Sequence, residues 1–215
     1  MTTAAEILKE IQEKDVKFVD LRFTDPKGKM QHVTMDVVLV DEDMFAEGVA
    51  FDGSSIAGWK AINESDMMLI LDPESAHIDP FFAQSTMAIF CDIVDPVTGE
   101  GYNRDPRMTA KKAEAYVKSG GFGDTIFVGP EAEFFMFDDV RFTADPYNTG
   151  FMLDSSELPS NMGSEYETGN LGHRPRTKGG YFPVPPIDSA QDIRSEMLSV
   201  MAEMGVPTEK HHHEV

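Results

Sequence analysis

The sequence predicts an α+β chain built in two parts: a small sheet with one or two helices, then an incomplete second set of helices and strands. Three observations carry this reading. Apolar and polar residues alternate in short runs before residue 95, the mark of half-buried strands. A stretch rich in Asp-Pro and Gly interrupts that pattern between Asp95 and Pro106. Two segments with helical start and stop signals then flank one strongly apolar run.

Thr3 followed three residues later by Glu6 forms a capping-box pattern, and Ile7, Leu8 and Ile11 share a helical face, so a helix is expected over Ala4 to Lys14. Val19, Leu21 and Phe23 alternate with Asp20 and Arg22 as a half-buried strand. Asp25-Pro26-Lys27-Gly28 is a turn, and Gln31 to Met35 returns as a second strand. Met67 to Leu71 and Thr86 to Ile93 are further strands, separated by Asp72-Pro73 and Asp79-Pro80. The domain boundary falls in the breaker-rich stretch after Asp95. Asp105 then caps a helix with Pro106 at its first position, and Gly120-Gly121 ends it. Ile126 to Phe137 reads as a strand, apolar apart from two glutamates and well buried. Val140 to Pro186 is rich in Gly, Pro, Asn and Ser and too long for a passive connection. Asp188 with Gln191 caps a further helix, with Ile193, Met197, Val200, Met201 and Met204 on its inner face; Gly205 and Pro207 stop it. Glu209 to Val215 begins a strand. These later pieces cannot close a sheet alone, so a truncated chain is expected.

Composition narrows the function. The formal charge of −20 over 215 residues repels phosphate backbones and leaves no basic patch, which excludes nucleic-acid binding. Apolar residues at 41%, including 15 Phe, exclude global disorder. One cysteine, Cys91, cannot make an intramolecular disulfide and fits a core position. The polar start lacks a signal peptide's apolar core, and no run approaches the roughly 18 residues of a membrane span. The chain is expected to be soluble and cytoplasmic, its acidity serving solubility or adaptation to salt.

Several motifs could carry chemistry. In Gly129-Pro130-Glu131-Ala132-Glu133-Phe134-Phe135, period two puts Glu131 and Glu133 on one face. Buried together, they need protonation, basic partners or a hard cation such as Mg²⁺; on a wet face they need nothing. In His211-His212-His213-Glu214-Val215, a strand gives His212 and Glu214 one face and turns His211 and His213 away. Glu214 could join the two glutamates around an ion, or the imidazoles could simply pack. Phe51-Asp52-Gly53-Ser54-Ser55 is either a polar cup, with Gly53 allowing unusual backbone angles, or a plain Asx-type turn. Trp59 is a core anchor or an exposed aromatic at a subunit contact or base-stacking site. Gly179-Gly180-Tyr181-Phe182-Pro183-Val184-Pro185-Pro186 either holds Tyr181 in place or is a rigid surface connection. His173, Arg174, Arg176 and Lys178 face an anionic ligand or balance local acids.

Together these segments resemble glutamine synthetase of the bacterial type I class. The matching stretches are Phe51-Asp-Gly-Ser-Ser, Asn63-Glu-Ser-Asp-Met, Asn103-Arg-Asp-Pro-Arg, Gly129-Pro-Glu-Ala-Glu-Phe-Phe, Gly180-Tyr-Phe-Pro-Val-Pro-Pro and His211-His-His-Glu-Val, in the family's order and spacing. The resemblance implies an N-terminal β-grasp domain over 14–98, followed at 105–215 by the start of the glutamine synthetase catalytic α/β domain. It covers less than half of a family chain. The implied reaction is ATP-dependent joining of ammonia to L-glutamate through γ-glutamyl phosphate. By the same resemblance, Glu131 matches a carboxylate on the metal that binds the ATP phosphates. Glu133 and Glu214 match ligands of a second ion, with Mg²⁺ or Mn²⁺ filling two or more positions per site. Asp52 matches the residue that binds and deprotonates ammonium, with Ser55, Tyr181 and Glu214 completing that pocket. Glu209 and His212 match positions near nucleotide and phosphates, and Trp59 lies by the shared nucleotide site.

The resemblance further implies a homo-oligomer, a double hexameric ring, in which Asp52 of one subunit meets Glu133 of its neighbour. The family's remaining metal ligands and glutamate-binding arginines fall after the position of Val215, so these 215 residues alone are expected neither to cage both metals nor to make glutamine. Two other readings stay open: a naturally short, non-catalytic subunit that docks into such rings, and a related γ-glutamyl-amine ligase. An open reading frame beyond Val215 favours the ligase, and a stop codon there favours the short subunit.

Overall fold

A computed structural model describes residues 2–59, 65–157 and 174–214. It forms two compact units, Met1–Val128 and Gly129–Val215.

The first unit opens with α1 (Ala4–Glu13). Thr3 Oγ1 accepts from the Glu6 amide at 3.3 Å, and Glu6 Oε2 accepts from the Thr3 amide at 2.8 Å, so the expected capping box forms. The helix buries Ile7 and Ile11 against a mixed sheet. The strands are β1 (Phe18–Thr24), β2 (Met30–Asp36), β3 (Val49–Asp52), β4 (Asp66–Leu71), β5 (His77–Ile78) and β6 (Thr86–Val94). Their order is β2-β1-β6-β4-β3, with β5 beside β6. β1 and β6 run parallel, with Val19 opposite Met87 and Leu21 opposite Ile89; the other pairings are antiparallel. β6 is central and buried along most of its length, whereas β2, at the edge, is largely exposed. Val19, Leu21, Met67, Leu69, Met87, Ile89, Cys91 and Ile93 are wholly enclosed. Burial pushes the Cys91 thiol up to about 12, as suits an inert core residue.

α2 (Glu42–Glu47), capped by Asp41, leads into β3. α3 (Pro106–Ser119) has the expected Asp105 cap and ends at Gly120. It is tied to the sheet by ion pairs from Arg107 to Asp72 and Asp92 and from Lys111 to Asp92. One expectation for β1 fails: Asp20 does not face water but is 1% exposed, because Arg22, His32 and Thr34 all turn onto its carboxylate.

The second unit contains a hairpin of β7 (Asp139–Asp145) and β8 (Asn148–Asp154), and α4 (Gln191–Glu203). Several expectations are corrected here and at the join. Residues 126–137 are unpaired and exposed, not a buried strand. An apolar run becomes a strand only when a neighbour takes its backbone hydrogen bonds, and none of the described residues does so. Residues 209–214 likewise form no strand, although His213 is buried and its carbonyl accepts from the Phe182 amide at 3.3 Å. The stretch from Val140, read as a loop, contains the β7–β8 hairpin, closed by Asp145-Pro146-Tyr147-Asn148. α4 starts after Ala190 with no side-chain cap, since the Asp188 carboxylate is occupied by Arg194 and the Ala190 amide. Its buried residue is Arg194, while Ile193 and Met197 on the expected inner face stay exposed. Among the described residues no helix is long and apolar enough to cross a membrane.

Candidate functional site

In the first unit the chain leaves β3 at Asp52 and turns through a single 3₁₀ turn, Gly53–Ser55. The Asp52 carboxylate accepts from the Ser54 amide at 2.9 Å and the Ser54 hydroxyl at 2.6 Å, with Ser55 Oγ at 3.5 Å. The Ser54 hydroxyl first, then its amide, hold this carboxyl below the usual range. Asp52 is exposed, so the turn presents a fixed negative charge to solvent. Gly53 does not adopt a left-handed backbone, contrary to the expectation of unusual angles. It is needed for close approach: its amide donates to Ser65 O at 2.7 Å, and a Cβ would sit 2.7 Å from Met67 Cγ. Both readings of this loop therefore hold locally: it is an Asx-type turn, and it forms a polar cup.

Trp59 takes the core-anchor role. It is 5% exposed and packs its ring against Phe23, Phe51 and Tyr102, with centroids 5.6–5.9 Å away. A ring so covered fits the core-anchor reading and not that of an exposed aromatic at a subunit contact or base-stacking site. Its loop is fixed by Arg104, which donates to the Gly58 and Trp59 carbonyls. Of the matching stretch beginning at Asn63, residues 63 and 64 lie outside the described residues, as does His173 of the basic group.

In the second unit the structure brings together Tyr181, His212 and Glu214. The Tyr181 and Phe182 rings stack at 4.2 Å, and the His212 ring stands edge-on to both. His212 Nδ1 lies 3.1 Å from Glu214 Oε2, as two residues on one face of an extended chain should. That approach is not aligned as a hydrogen bond, so this buried carboxylate oxygen has no hydrogen-bond partner among the described residues. Glu209 is exposed on the same terminal segment.

The neighbouring histidines are held elsewhere. His213 Nδ1 lies 2.7 Å from the Gly180 carbonyl, and Nε2 lies 3.0 Å from both Glu157 oxygens. Both partners only accept, an arrangement that favours the doubly protonated ring. Burial pushes the His213 pKa down, but hydrogen bonds to Glu157 and Gly180 and the Glu157 charge outweigh it, and the net direction is up. Glu157 shows the converse: burial raises it, and hydrogen bonds from Ser189 and His213 bring it below the usual range. His211 Nδ1 accepts from Arg194 Nε at 3.2 Å, so its proton sits on Nε2, facing Ser195 Oγ at 3.1 Å. Gly180 is a close-approach glycine, because a Cβ there would lie 2.7 Å from Glu214 O and His213 Cε1. Glu157, Asp188 and Arg194 were missed as site residues by sequence reasoning. The available signal was a lone Arg beside the apolar positions of α4, with an Asp six residues before it.

The metal set divides. Glu131 and Glu133 are exposed on their unpaired segment, and no group of three His, Cys, Asp or Glu among the described residues is gathered to hold an ion. The structure thus does not assemble Glu131, Glu133 and Glu214 into one site. Their chemistry nevertheless fits a hard divalent cation: all three are carboxylates, and Glu214 keeps a buried oxygen with no hydrogen bond from the described residues.

The family model for the glutamine synthetase beta-Grasp domain matches residues 15–96, and that for the glutamine synthetase catalytic domain matches residues 103–215. The chain is 80% identical over all 215 residues to a glutamine synthetase of Rhizobium meliloti (strain 1021), covering 46% of that protein. It is 57% identical over 97% of its length to one from Vibrio cholerae, covering 45% of it. The chain therefore spans about half the length of the curated relatives it matches. A cryo-electron-microscopy structure of Plasmodium falciparum glutamine synthetase shares the fold over the whole chain and 42% of its own length, with a TM-score of 0.83 at 23% identity. The β-grasp arrangement of the first unit, the two family models and these relatives agree, and the chain belongs to the glutamine synthetase family.

Proposed function

We propose that this chain works within a glutamate–ammonia ligase, an enzyme that joins ammonia to L-glutamate at the expense of ATP through γ-glutamyl phosphate. The observation that carries the reading is 80% identity, without a break in coverage, to a glutamine synthetase. The division proposed is a β-grasp domain over 14–98 and the first part of the catalytic domain over 105–215.

Asp52 supplies the negative cup for ammonium. Its carboxylate, kept ionised by Ser54, concentrates the cation and takes its proton, and the ammonia so released attacks the acyl phosphate and displaces phosphate, with Ser55 beside the carboxylate. Tyr181 and Glu214 complete the pocket from the catalytic part, and Glu209 and His212 serve the nucleotide and its phosphates. Trp59 enters as the packed anchor beneath the Asp52 loop. Glu131, Glu133 and Glu214 would hold divalent ions, Mg²⁺ or Mn²⁺. When bound, such ions neutralise charge on the transferring phosphoryl group. We place the active protein in the cytoplasm as a homo-oligomer, a double hexameric ring with sites shared between subunits, so that Asp52 of one copy serves the carboxylates of the next.

The test is an assay of the natural protein containing this chain, with Mg²⁺, ATP, L-glutamate and ammonium. Expected is glutamine with one phosphate released per turnover, while the 215 residues alone give none. Phosphate release that responds to an organic amine but not to ammonium would replace the reading with a γ-glutamyl-amine ligase.

A further inference from the structure

Among the described residues no strand pairs with the terminal segment 209–214, so something other than a sheet must fix which way its side chains point. Successive side chains of an extended chain alternate sides, which separates His211 and His213 from His212 and Glu214. Both histidines of the first pair are gripped. Asp188 forms an ion pair with the buried Arg194, which donates to His211 Nδ1, and Ser195 Oγ meets Nε2 of the same ring. Ser189 donates to Glu157 at 2.5 Å, and Glu157 takes His213 Nε2 on both oxygens, while Nδ1 is fixed by Gly180. The opposite pair has no such hold: Glu214 Oε2 has no hydrogen bond, and His212 meets only rings, the Glu214 carboxylate and the next carbonyl among the described residues.

We propose that Arg194 and Glu157 are positioning residues, which clamp His211 and His213 so that His212 and Glu214 are presented together to the ion and phosphates. The proposal rests on the reading of Glu214 as a metal ligand. Neither residue touches a reacting atom. Each acts through a histidine neighbouring the working pair, as the outer partners of metal ligands do elsewhere.

The test uses the full-length assembled protein and Mn²⁺ alone, followed by the electron paramagnetic resonance signal of the free ion. Glu157→Ala and Arg194→Ala are expected to weaken Mn²⁺ binding about tenfold with assembly intact. Glu157→Gln, which still offers His213 an acceptor, should restore most of it. Wild-type affinity in both alanine variants overturns the proposal, as does a glutamine variant no better than alanine. Should the alanine variants fail to fold, the milder Ser189→Ala/Ser195→Ala pair decides: a few-fold weakening with an unchanged melting temperature supports the clamp, and unchanged affinity overturns it. Glu214→Gln separates the two levels. If it binds Mn²⁺ as wild type, the ligand assignment itself falls; if it binds weakly while the clamp variants do not, only the clamp falls.

Discussion

Two carboxylates in the first unit show how neighbours decide what an acid does. At Asp20, Arg22 Nε at 2.8 Å takes one oxygen, and Thr34 Oγ1 at 2.7 Å and His32 Nδ1 at 2.6 Å take the other. Burial pushes this pKa up, yet the bonds from Thr34, Arg22 and His32 outweigh it and bring it below the ordinary value. Its stabilising effect is therefore complete above the unfolded carboxyl's pKa and is lost as pH falls through the lower folded value. Asp20→Ala should cost about 3 kcal/mol at neutral pH, because Arg22 and Thr34 lose a buried partner. Urea titrations at pH 7 and below about pH 3 check this: the gap between wild type and variant should narrow in acid. At Asp52 the donors are Ser54 and Ser55, and the carboxylate stays exposed, turned to solvent and not to the core. In the full-length assembled enzyme, Asp52→Ala should raise KM for ammonium about tenfold or more while leaving KM for ATP near wild type. An equal rise in both would show that the loop has collapsed and that the carboxylate is not the ammonium site.

The elements divide by whether their signals are local. The α1 capping box, the β1–β2 turn at Asp25 to Gly28 and the Asp105-Pro106 start of α3 were legible because neighbouring residues satisfy them. β4 and β6 were legible because their apolar runs lie inside a sheet that buries them. The β7–β8 hairpin was not, since both its strands are mostly exposed and show no clean inward face. Residues 126–137 failed in the opposite sense: an apolar pattern reports what a segment would bury, not whether a partner strand stands beside it. In the site, the pairing of His212 with Glu214 followed from period two alone. The grip of Glu157 on His213 did not, because 56 positions separate them and only folding brings them together. Gly180 is the element-scale test of that grip. Adding a Cβ within 2.7 Å of His213 and Glu214 backbone and ring atoms forces the two segments apart. Gly180→Ala should cost about 1–3 kcal/mol and speed amide hydrogen exchange in 209–214, with exchange in β1 and β6 unchanged. Wild-type exchange in 209–214 would mean the segment is held without this contact.

Over the whole molecule, burial is distributed unevenly. Among the described residues, the apolar core from Ile7 to Tyr102 lies within Met1–Val128, gathered on the mixed sheet and α1. In Gly129–Val215 the buried apolar residue is Ala190, while Phe134, Phe135, Phe142, Tyr147 and Phe151 stand exposed among the described residues. Hydrogen-bonded clamps such as Asp188–Arg194–His211 organise that unit locally, but hydrogen bonds contribute about 1 kcal/mol each and cannot replace a core. Packing thus covers the apolar side chains of the first unit, while large apolar side chains of the second stand exposed among the described residues. The two halves should melt differently. Met1–Val128 produced alone should unfold in one cooperative step by calorimetry, with α3 still held by the Arg107 and Lys111 ion pairs. Gly129–Val215 produced alone should show no cooperative transition and should bind the dye ANS at neutral pH, the behaviour of a segment whose apolar side chains lack a common interior. A sharp heat-absorption peak from the second piece without ANS binding would show that its aromatic residues pack among themselves. In that event the catalytic half would carry a core of its own, independent of any surface that covers it in an assembled enzyme.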